Sequence, residues 1–177
     1  MDVMNAIKTR RSVRAYRQAD IPEDIYQNLL DALRFAPSAC NFQPWRFVLV
    51  RQPKLRSQLA QACRGQTWIA QAPLVVAACG DPQNAYQKMG GEHNSIDIDL
   101  AIALDHLSLA AVAHGLGTCW IGAFSEPEVK QVLNLPERTR VVALMPVGFP
   151  ESDDLNRPVT ETDRKPPDQV FSNDRQA

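Results

Sequence analysis

Residues 96–117 read IDIDLAIALDHLSLAAVAHGLG and form the most apolar helix candidate of this 177-residue chain. The spacing of the apolar residues predicts a helix over residues 95–113, and Gly115 is expected to close it in the left-handed conformation. Three aspartates interrupt the apolar residues, which excludes a membrane span. The stretch therefore predicts a long helix inside a globular domain that is large enough to bury a core.

Shorter elements alternate on both sides of this helix. Asp2 is expected to cap the first of them, and Ser125 with Glu128 matches the pattern of a capping box. We predict helices over residues 2–9, 22–36, 53–63, 67–70 and 125–133, and strands over residues 46–51, 74–79, 118–121 and 140–147. Because the strands are few and short and alternate with helices, we expect an α+β fold with a small sheet packed by helices.

Charge and cysteine content narrow the class of partner. The net charge is -1 and the isoelectric point is about 6.3, so the charge does not indicate nucleic-acid or membrane binding. The acidic N-terminus lacks the features of a signal peptide. The four cysteines are scattered without a CxxC pair, which favours free thiols in a reducing compartment. We therefore expect a cytoplasmic protein without nucleic-acid or membrane partners.

The motifs of the common catalytic machines are absent from the sequence, which contains no GxSxG, HExxH, P-loop or GxGxxG pattern. The three histidines stand in unrelated contexts. Asp97 and Asp99 are two residues apart and so point to different faces of the predicted helix, and no metal site is expected. A chain without an acid, base or nucleophile set favours a bound cofactor as the reactive group.

Residues 10–16, RRSVRAY, concentrate three guanidinium groups and one hydroxyl. Arginine donates paired hydrogen bonds that match phosphate oxygens, and Ser12 adds another donor. In a chain of nearly neutral charge, this density favours one phosphorylated small molecule over a polyanion. Alternatively, the cations form a solvated end of the first helix, where positive charge is favourable. Arg164 and Lys165 would complete a phosphate site if the polar segment from residue 151 folds back.

Residues 36–45, APSACNFQPW, form a second polar segment. Two prolines bracket Ser38, Asn41 and Gln43, whose hydroxyl and amide groups suit the edge of a flat heteroaromatic ligand. The length of the segment and its three hydrogen-bonding side chains favour this interpretation. An ordinary turn is the alternative.

Residues 115–124, GLGTCWIGAF, form a third, glycine-rich segment. Its three glycines would allow the backbone to approach a ligand closely, while Trp120 and Ile121 supply an apolar wall. A helix cap followed by a buried strand explains Gly115 and Gly117 equally well. That alternative explains Gly122 less well.

These segments, in this order, resemble the FMN-dependent nitroreductase family, and the similarity extends over nearly the whole chain. The family also includes flavin reductases, iodotyrosine deiodinases and the flavin-cleaving enzyme of cobalamin biosynthesis. The resemblance implies a three-layer α+β sandwich, with a small, mainly antiparallel sheet between helices, in an intertwined homodimer with two FMN molecules at the subunit interface. It also implies one FMN-binding domain over residues 1–177, whose C-terminal arm at 151–177 packs on the partner subunit.

The same resemblance assigns cofactor contacts residue by residue. The phosphate ligands would be Arg10, Ser12, Arg164 and Lys165. The cations near the pyrimidine edge of the flavin would be Arg14 and, beside it, Arg11. The other subunit would contribute Ser38, Asn41 and Gln43, with Pro37 next to them. One flavin face would be covered by Trp120, Ile121 and Gly122, with a backbone N–H offered to N5.

The chemistry that the resemblance implies belongs to the flavin. A hydride passes from NAD(P)H to N5, and a nitroaromatic, quinone or related electrophile is then reduced on the same face by a ping-pong mechanism. No side chain is expected to be catalytic, and Arg14 and the backbone of Gly122 tune the flavin. One branch of the family has an acidic residue at position 122 and some relatives have a longer segment near 84–93, so their substrates are not carried over.

Two other functions use the same residues. A flavin-binding protein without NAD(P)H turnover, such as a redox sensor or a flavin store, would need the same three segments. A domain that binds a small anion through residues 10–14 alone is the more distant alternative, because it leaves the polar groups of residues 38–43 unexplained.

Overall fold

Five α-helices and four strands follow one another within residues 1–174, which are described by a computed structural model. The helices are α1 (Val3–Thr9), α2 (Glu23–Arg34), α3 (Pro53–Ala62), α4 (Ile96–Ala113) and α5 (Glu126–Leu133). The strands are β1 (Trp45–Val50), β2 (Leu74–Gly80), β3 (Gly117–Thr118) and β4 (Arg140–Gly148). The short helix predicted over residues 67–70 is a 3-10 helix at Thr67–Gln71.

The strands form one antiparallel sheet in the order β1-β2-β4-β3. All residues of β2 are buried because helices cover both faces of the sheet. Helices α2 and α4 pack on one face through side chains such as Leu29 and Leu104, while α3 and α5 pack on the other through Leu59 and Val129. Each such side chain stabilises the fold by about 1.5–3 kcal/mol. The predicted three-layer α+β sandwich is confirmed.

Helix α4 forms and ends as its sequence predicts. The N–H of Leu116 donates to the carbonyl of Ala111 at 2.9 Å, and the N–H of Gly115 donates to that of Val112 at 3.0 Å. This paired closure needs a left-handed residue, and Gly115 supplies it with φ at +75°. Among residues 1–174, every helix is too short or too polar to cross a lipid bilayer.

The capping box predicted at the start of α5 is wrong. Ser125 precedes the helix, but its side chain makes no capping hydrogen bond. Pro127 has no N–H to offer, and the N–H of Ser125 already donates to the carbonyl of Ala62 at 2.8 Å, so Glu128 has no partner there. Glu126 ties the helix to the sheet instead, because its carboxylate accepts the N–H of Val141 at 2.9 Å.

The strand predicted over residues 118–121 is shorter than expected. Pairing with β4 ends at Thr118, and Ile121 makes a separate bridge to Leu144. The two residues between them leave the ladder, and Trp120 is 43% exposed as a result. β-Branched and aromatic residues predicted a strand here, but tertiary contacts decided where pairing stops.

The first part of the C-terminal arm lies on its own chain. The N–H of Val159 donates to the carbonyl of Lys8 at 2.8 Å, and the side-chain amide of Asn156 donates to the carbonyl of Leu116 at 2.9 Å. Residues 160–174 are exposed. The assignment of residues 1–177 to one domain, with an arm at 151–177 that packs on a partner, stays a prediction, and its last three residues lie outside the described part.

Candidate functional site

The arm and the N-terminal cations meet in a pocket of about 570 Å³, here called the arginine pocket. Its lining residues are Arg10, Arg11, Ser12, Arg14, Asp154, Leu155, Arg157, Val159, Asp163 and Arg164. Five arginines and two aspartates leave a clear excess of positive charge. The pocket is therefore suited to a compact anion with more than one negative charge.

Residues 12–14 present their polar side chains to the arginine pocket because they run in extended form beside β3. Ser12 bridges Thr118, and the N–H of Val13 donates to the carbonyl of Thr118 at 2.9 Å. Successive side chains of an extended segment point to opposite sides, so Val13 is buried while Ser12 and Arg14 are exposed. The hydroxyl of Tyr16 donates to the carbonyl of Val13 at 2.7 Å, and this buried hydrogen bond helps to hold the segment in place.

Two of the three glycines of residues 115–124 serve the fold. Gly115 closes α4, and a Cβ on Gly117 would lie 2.6–2.9 Å from three side-chain atoms of Val13. Both observations favour the helix cap and buried strand over close approach to a ligand. At Gly122, in contrast, an added Cβ would meet only Nε1 of Trp120 at 3.8 Å.

The chain around Gly122 combines an apolar wall with an available donor. The N–H of Ile121 donates to the carbonyl of Leu144 at 2.8 Å, whereas the N–H of Gly122 has no acceptor within residues 1–174. Ile121 is buried and Trp120 is half-exposed beside it. A ligand placed against this segment would find an apolar surface and one free backbone N–H.

Arg11 stabilises the end of α1 and also has a side-chain nitrogen that finds no acceptor within residues 1–174. Its Nη1 donates to the carbonyls of Lys8 at 3.0 Å and Arg10 at 2.8 Å, which caps the end of α1. Its Nη2 is buried and finds no partner in the described part of the chain. Burial lowers the pKa of Arg11, although Asp163 opposes the shift, and the group stays charged at neutral pH. A buried donor without a partner is costly, and Arg11 is one of the residues that line the pocket.

Arg157 is a pocket residue that the sequence analysis missed. It lines the arginine pocket together with Arg164, while Lys165 is not among the lining residues. Hydrogen bonds from Thr160 hold the pKa of Asp163 below its usual value, and Arg157 and Arg11 contribute in the same direction. The signal in the sequence is one more cation in an arm whose first two candidate cations, Arg164 and Lys165, are assigned to the phosphate only on the condition that the arm folds back.

The polar segment at 38–43, here called loop 38–43, has a strained backbone. Cys40, Asn41 and Gln43 have φ values of 51°, 55° and 50°, which non-glycine residues rarely adopt. The hydroxyl oxygen of Ser38 accepts the N–H of Gln43 at 2.9 Å, and the side-chain amide of Gln43 donates to Asn41. Such a conformation persists only where the surroundings over-determine it.

Loop 38–43 is not part of the arginine pocket and borders a different cavity of the same chain. A cavity of about 1050 Å³ is lined by Gln43 and by none of the residues of the arginine pocket. Pro37, Asn41 and Gln43 are exposed, and Ser38 is half-buried. One chain therefore assembles the cationic part of the predicted site without the amide-rich part.

Comparison with known proteins identifies the family of the chain. The family model described as Nitroreductase family matches residues 7–94 and 66–149. This chain belongs to the nitroreductase family. The NADH dehydrogenase of Thermus thermophilus is 30% identical to this nitroreductase-family chain over 182 residues, which cover 86% of the chain and 89% of the relative.

Two further comparisons cover most of the chain. The FMN reductase (NAD(P)H) of Bacillus subtilis is 26% identical to this family member, over 89% of the chain and 69% of the relative. The crystal structure of a nitroreductase family protein from Clostridium novyi NT superposes with a TM-score of 0.78 at 32% identity, over 87% of this chain and 88% of that one. The expected family and fold are both confirmed.

The residues present fit an FMN phosphate. The arginine pocket has excess positive charge, an exposed hydroxyl at Ser12 and the unpartnered Nη2 of Arg11. A phosphate monoester carries close to two negative charges and accepts several charge-assisted hydrogen bonds. The charge and the hydrogen-bond donors of the arginine pocket therefore both fit a phosphate monoester.

Proposed function

We propose that this protein is an FMN-dependent oxidoreductase that takes hydride from NAD(P)H and reduces nitroaromatics, quinones or related electrophiles by a ping-pong mechanism. The observation that carries the proposal is the arginine pocket, where Nη2 of Arg11 is buried without a partner in the described residues. Family membership and relatives named NADH dehydrogenase and FMN reductase (NAD(P)H) support it.

The chain's own residues bind and orient the cofactor. Arg10, Ser12 and Arg164 are proposed to hold the phosphate, as the resemblance implies, and Arg157 joins them because it lines the same pocket. When bound, FMN supplies the hydride transfer. Arg14 provides a fixed positive charge, which would stabilise the negative charge that the flavin ring gains when it is reduced. A preorganised charge of this kind costs no reorganisation during the reaction.

The backbone near Gly122 completes the proposed site. Its N–H offers one donor, and Ile121 with Trp120 excludes water from one side of the ring. No side chain is assigned the part of acid, base or nucleophile. This division of labour suits a site in which the cofactor carries the reaction.

We propose that a second copy of the chain completes the site by contributing loop 38–43 and the residues beside it. The separation of this loop from the arginine pocket supports that arrangement. Exposed apolar side chains give the second copy a surface to cover, namely Val3, Met4 and Ile7 on α1, Ile98 on α4 and Phe171 on the arm. We also propose a cytoplasmic location, because all four cysteines are free thiols.

An anaerobic titration of the purified protein tests the function. Added FMN should bind, and NADH or NADPH should then bleach the flavin absorbance. A nitroaromatic or a quinone should restore the colour, and steady-state kinetics should give the parallel lines of a ping-pong mechanism. Flavin that binds but stays oxidised for minutes would instead indicate a flavin store or sensor. Protein that takes up no FMN would contradict both the proposed oxidoreductase and the alternative of a flavin store or sensor.

Cys40 provides a test of where the cofactor lies. It is the exposed thiol of loop 38–43, whereas Cys63, Cys79 and Cys119 are buried. Burial raises the pKa of Cys63 to about 11 and that of Cys79 to about 12, and also raises the pKa of Cys119. An alkylating reagent at neutral pH should therefore modify Cys40 alone, because the thiolate is the reactive form.

Saturation with FMN should slow this modification if loop 38–43 contributes to the cofactor site. Mass spectrometry of the native and the denatured protein would count the modified thiols. The variant Cys40→Ser should take up no reagent in the native state. A rate at Cys40 that does not respond to FMN would remove the loop from the proposed site.

A further inference from the structure

Asp99 is a buried carboxylate that the proposed chemistry does not use. It lies in the first turn of α4 with 1% of its surface exposed. Within residues 1–174 it takes part in no salt bridge. Burying a carboxylate without a cation is costly unless hydrogen bonds compensate, so its contacts must explain its presence.

The two oxygens of Asp99 hold two different parts of the chain. Its Oδ1 accepts the N–H of Ala39, inside loop 38–43, at 2.9 Å. Its Oδ2 accepts the hydroxyl of Ser95 at 2.6 Å. The hydroxyl oxygen of Ser95, which is fully buried, in turn accepts the N–H of Tyr86 at 3.2 Å, and the N–H of Ser95 donates to the carbonyl of Tyr86 at 2.9 Å.

Loop 38–43 needs such an anchor. Three of its residues, Cys40, Asn41 and Gln43, have left-handed backbone conformations without being glycine. The internal bond from Gln43 to Ser38 closes the loop on itself but does not attach it to the core. The bond from Ala39 to Asp99 makes that attachment, at the residue immediately before the first strained one.

We propose that Asp99 is a positioning residue that holds loop 38–43 in its strained form and thereby raises the affinity of the site for FMN. A charged acceptor makes a stronger hydrogen bond than a neutral one, and the start of a helix favours negative charge. Through Ser95, the same carboxylate fixes the segment that includes Tyr86. The part of the proposal that concerns FMN rests on the proposed function, and the part that concerns the loop does not.

Asp99→Ala tests both parts in the full-length protein. The amide of Gln43 should exchange with solvent about 10–100-fold faster, and the dissociation constant of FMN should rise by a similar factor. The rate at which NADH reduces the flavin that is bound should stay within about two-fold, because Asp99 acts on the loop. Asp99→Asn should restore much of the loss, since one side-chain oxygen can still accept the N–H of Ala39.

Asp97→Ala is the matched control. Asp97 has the same chemistry and belongs to the same helical turn, but it pairs with Arg140 at 3.2 Å on the surface. Its loss should leave the exchange of the Gln43 amide and the affinity for FMN unchanged within about two-fold. An equal effect of both variants would reduce Asp99 to a general structural role and overturn the proposal.

Ala39→Pro tests the same hydrogen bond from the loop, in case Asp99→Ala does not fold. Proline removes the N–H of residue 39, and the extended backbone of Ser38 (φ −137°, ψ 159°) suits a following proline. The variant should loosen Gln43 and weaken FMN binding without changing α4. Unchanged exchange at Gln43 would overturn the proposal. If the wild-type protein binds no FMN, the proposed function fails, while the exchange data still decide whether Asp99 holds the loop.

Discussion

Replacing Arg14 with alanine is expected to slow the reduction of bound FMN by about 100-fold, while the dissociation constant of FMN rises by less than about 10-fold. Arg14 lines the arginine pocket from an extended segment whose backbone is bonded to β3, so its position is fixed before the reaction begins. A fixed guanidinium stabilises negative charge that develops on the ring. Stopped-flow mixing of the FMN-loaded protein with NADH under anaerobic conditions measures the rate.

Arg10→Ala should have the opposite profile. Loss of a charge-assisted hydrogen bond to phosphate is expected to raise the dissociation constant of FMN by about 10–100-fold, with little change in the rate of reduction once FMN is bound. Arg17→Ala is the matched control, because Arg17 directly follows residues 10–16 but its guanidinium lies over the ring of Phe149, 5.6 Å from the ring centroid. If Arg10→Ala and Arg14→Ala lose affinity and rate to the same extent, the two assigned roles are wrong.

Gly117→Ala should destabilise the protein by about 1–3 kcal/mol and also weaken FMN binding. The added Cβ would lie within 3 Å of three atoms of Val13, whose side chain is branched, stiff and 1% exposed. Relief of the contact would displace residues 12–14, and with them two groups of the arginine pocket. Urea unfolding and FMN titration measure the two effects.

Gly122→Ala is the control for this prediction. An added Cβ there has only one neighbour, at an ordinary contact distance of 3.8 Å, and the free energy of unfolding should change by less than about 0.5 kcal/mol. The double variant Val13→Ala, Gly117→Ala should relieve the clash and recover some of the FMN affinity. Equal stability of Gly117→Ala and the wild-type protein would show that Val13 has room to move.

Loop 38–43 shows how far the sequence could go with the site. Two prolines and three amide or hydroxyl side chains favour a ligand-binding loop over an ordinary turn. The left-handed backbone at Cys40, Asn41 and Gln43 could not be predicted, because none of these residues is a glycine. The anchor for that conformation, Asp99, belongs to α4, and its spacing from Asp97 in the sequence indicates only that the two carboxylates do not form a metal site. Cysteine and histidine spacing were of no help here, because the attachment is a backbone hydrogen bond to a carboxylate.

The arginine pocket, too, could be predicted from the sequence only in part. The crowding of Arg10, Ser12 and Arg14 in the sequence predicted an anion site, and those residues do line one pocket. The sequence does not show which arginine or lysine side chains of the arm reach this pocket, because that depends on the tertiary structure. Arg157 and Arg164 line the pocket and Lys165 does not. Hydrogen bonds from Asn156 and Val159 to the rest of the chain hold the part of the arm that includes Arg157.

By itself, the sequence determined α4 with its closure at Gly115, the strand β2 and the three segments at residues 10–16, 36–45 and 115–124, since each depends on residue types and spacings within one short stretch. Tertiary structure alone decided that Glu126 rather than Ser125 holds the start of α5, that Gly117 makes room for Val13, and that Asp99 anchors the loop. These contacts join residues far apart in the chain. Their energies depend on which surfaces meet after the layers pack, and no local pattern records that outcome.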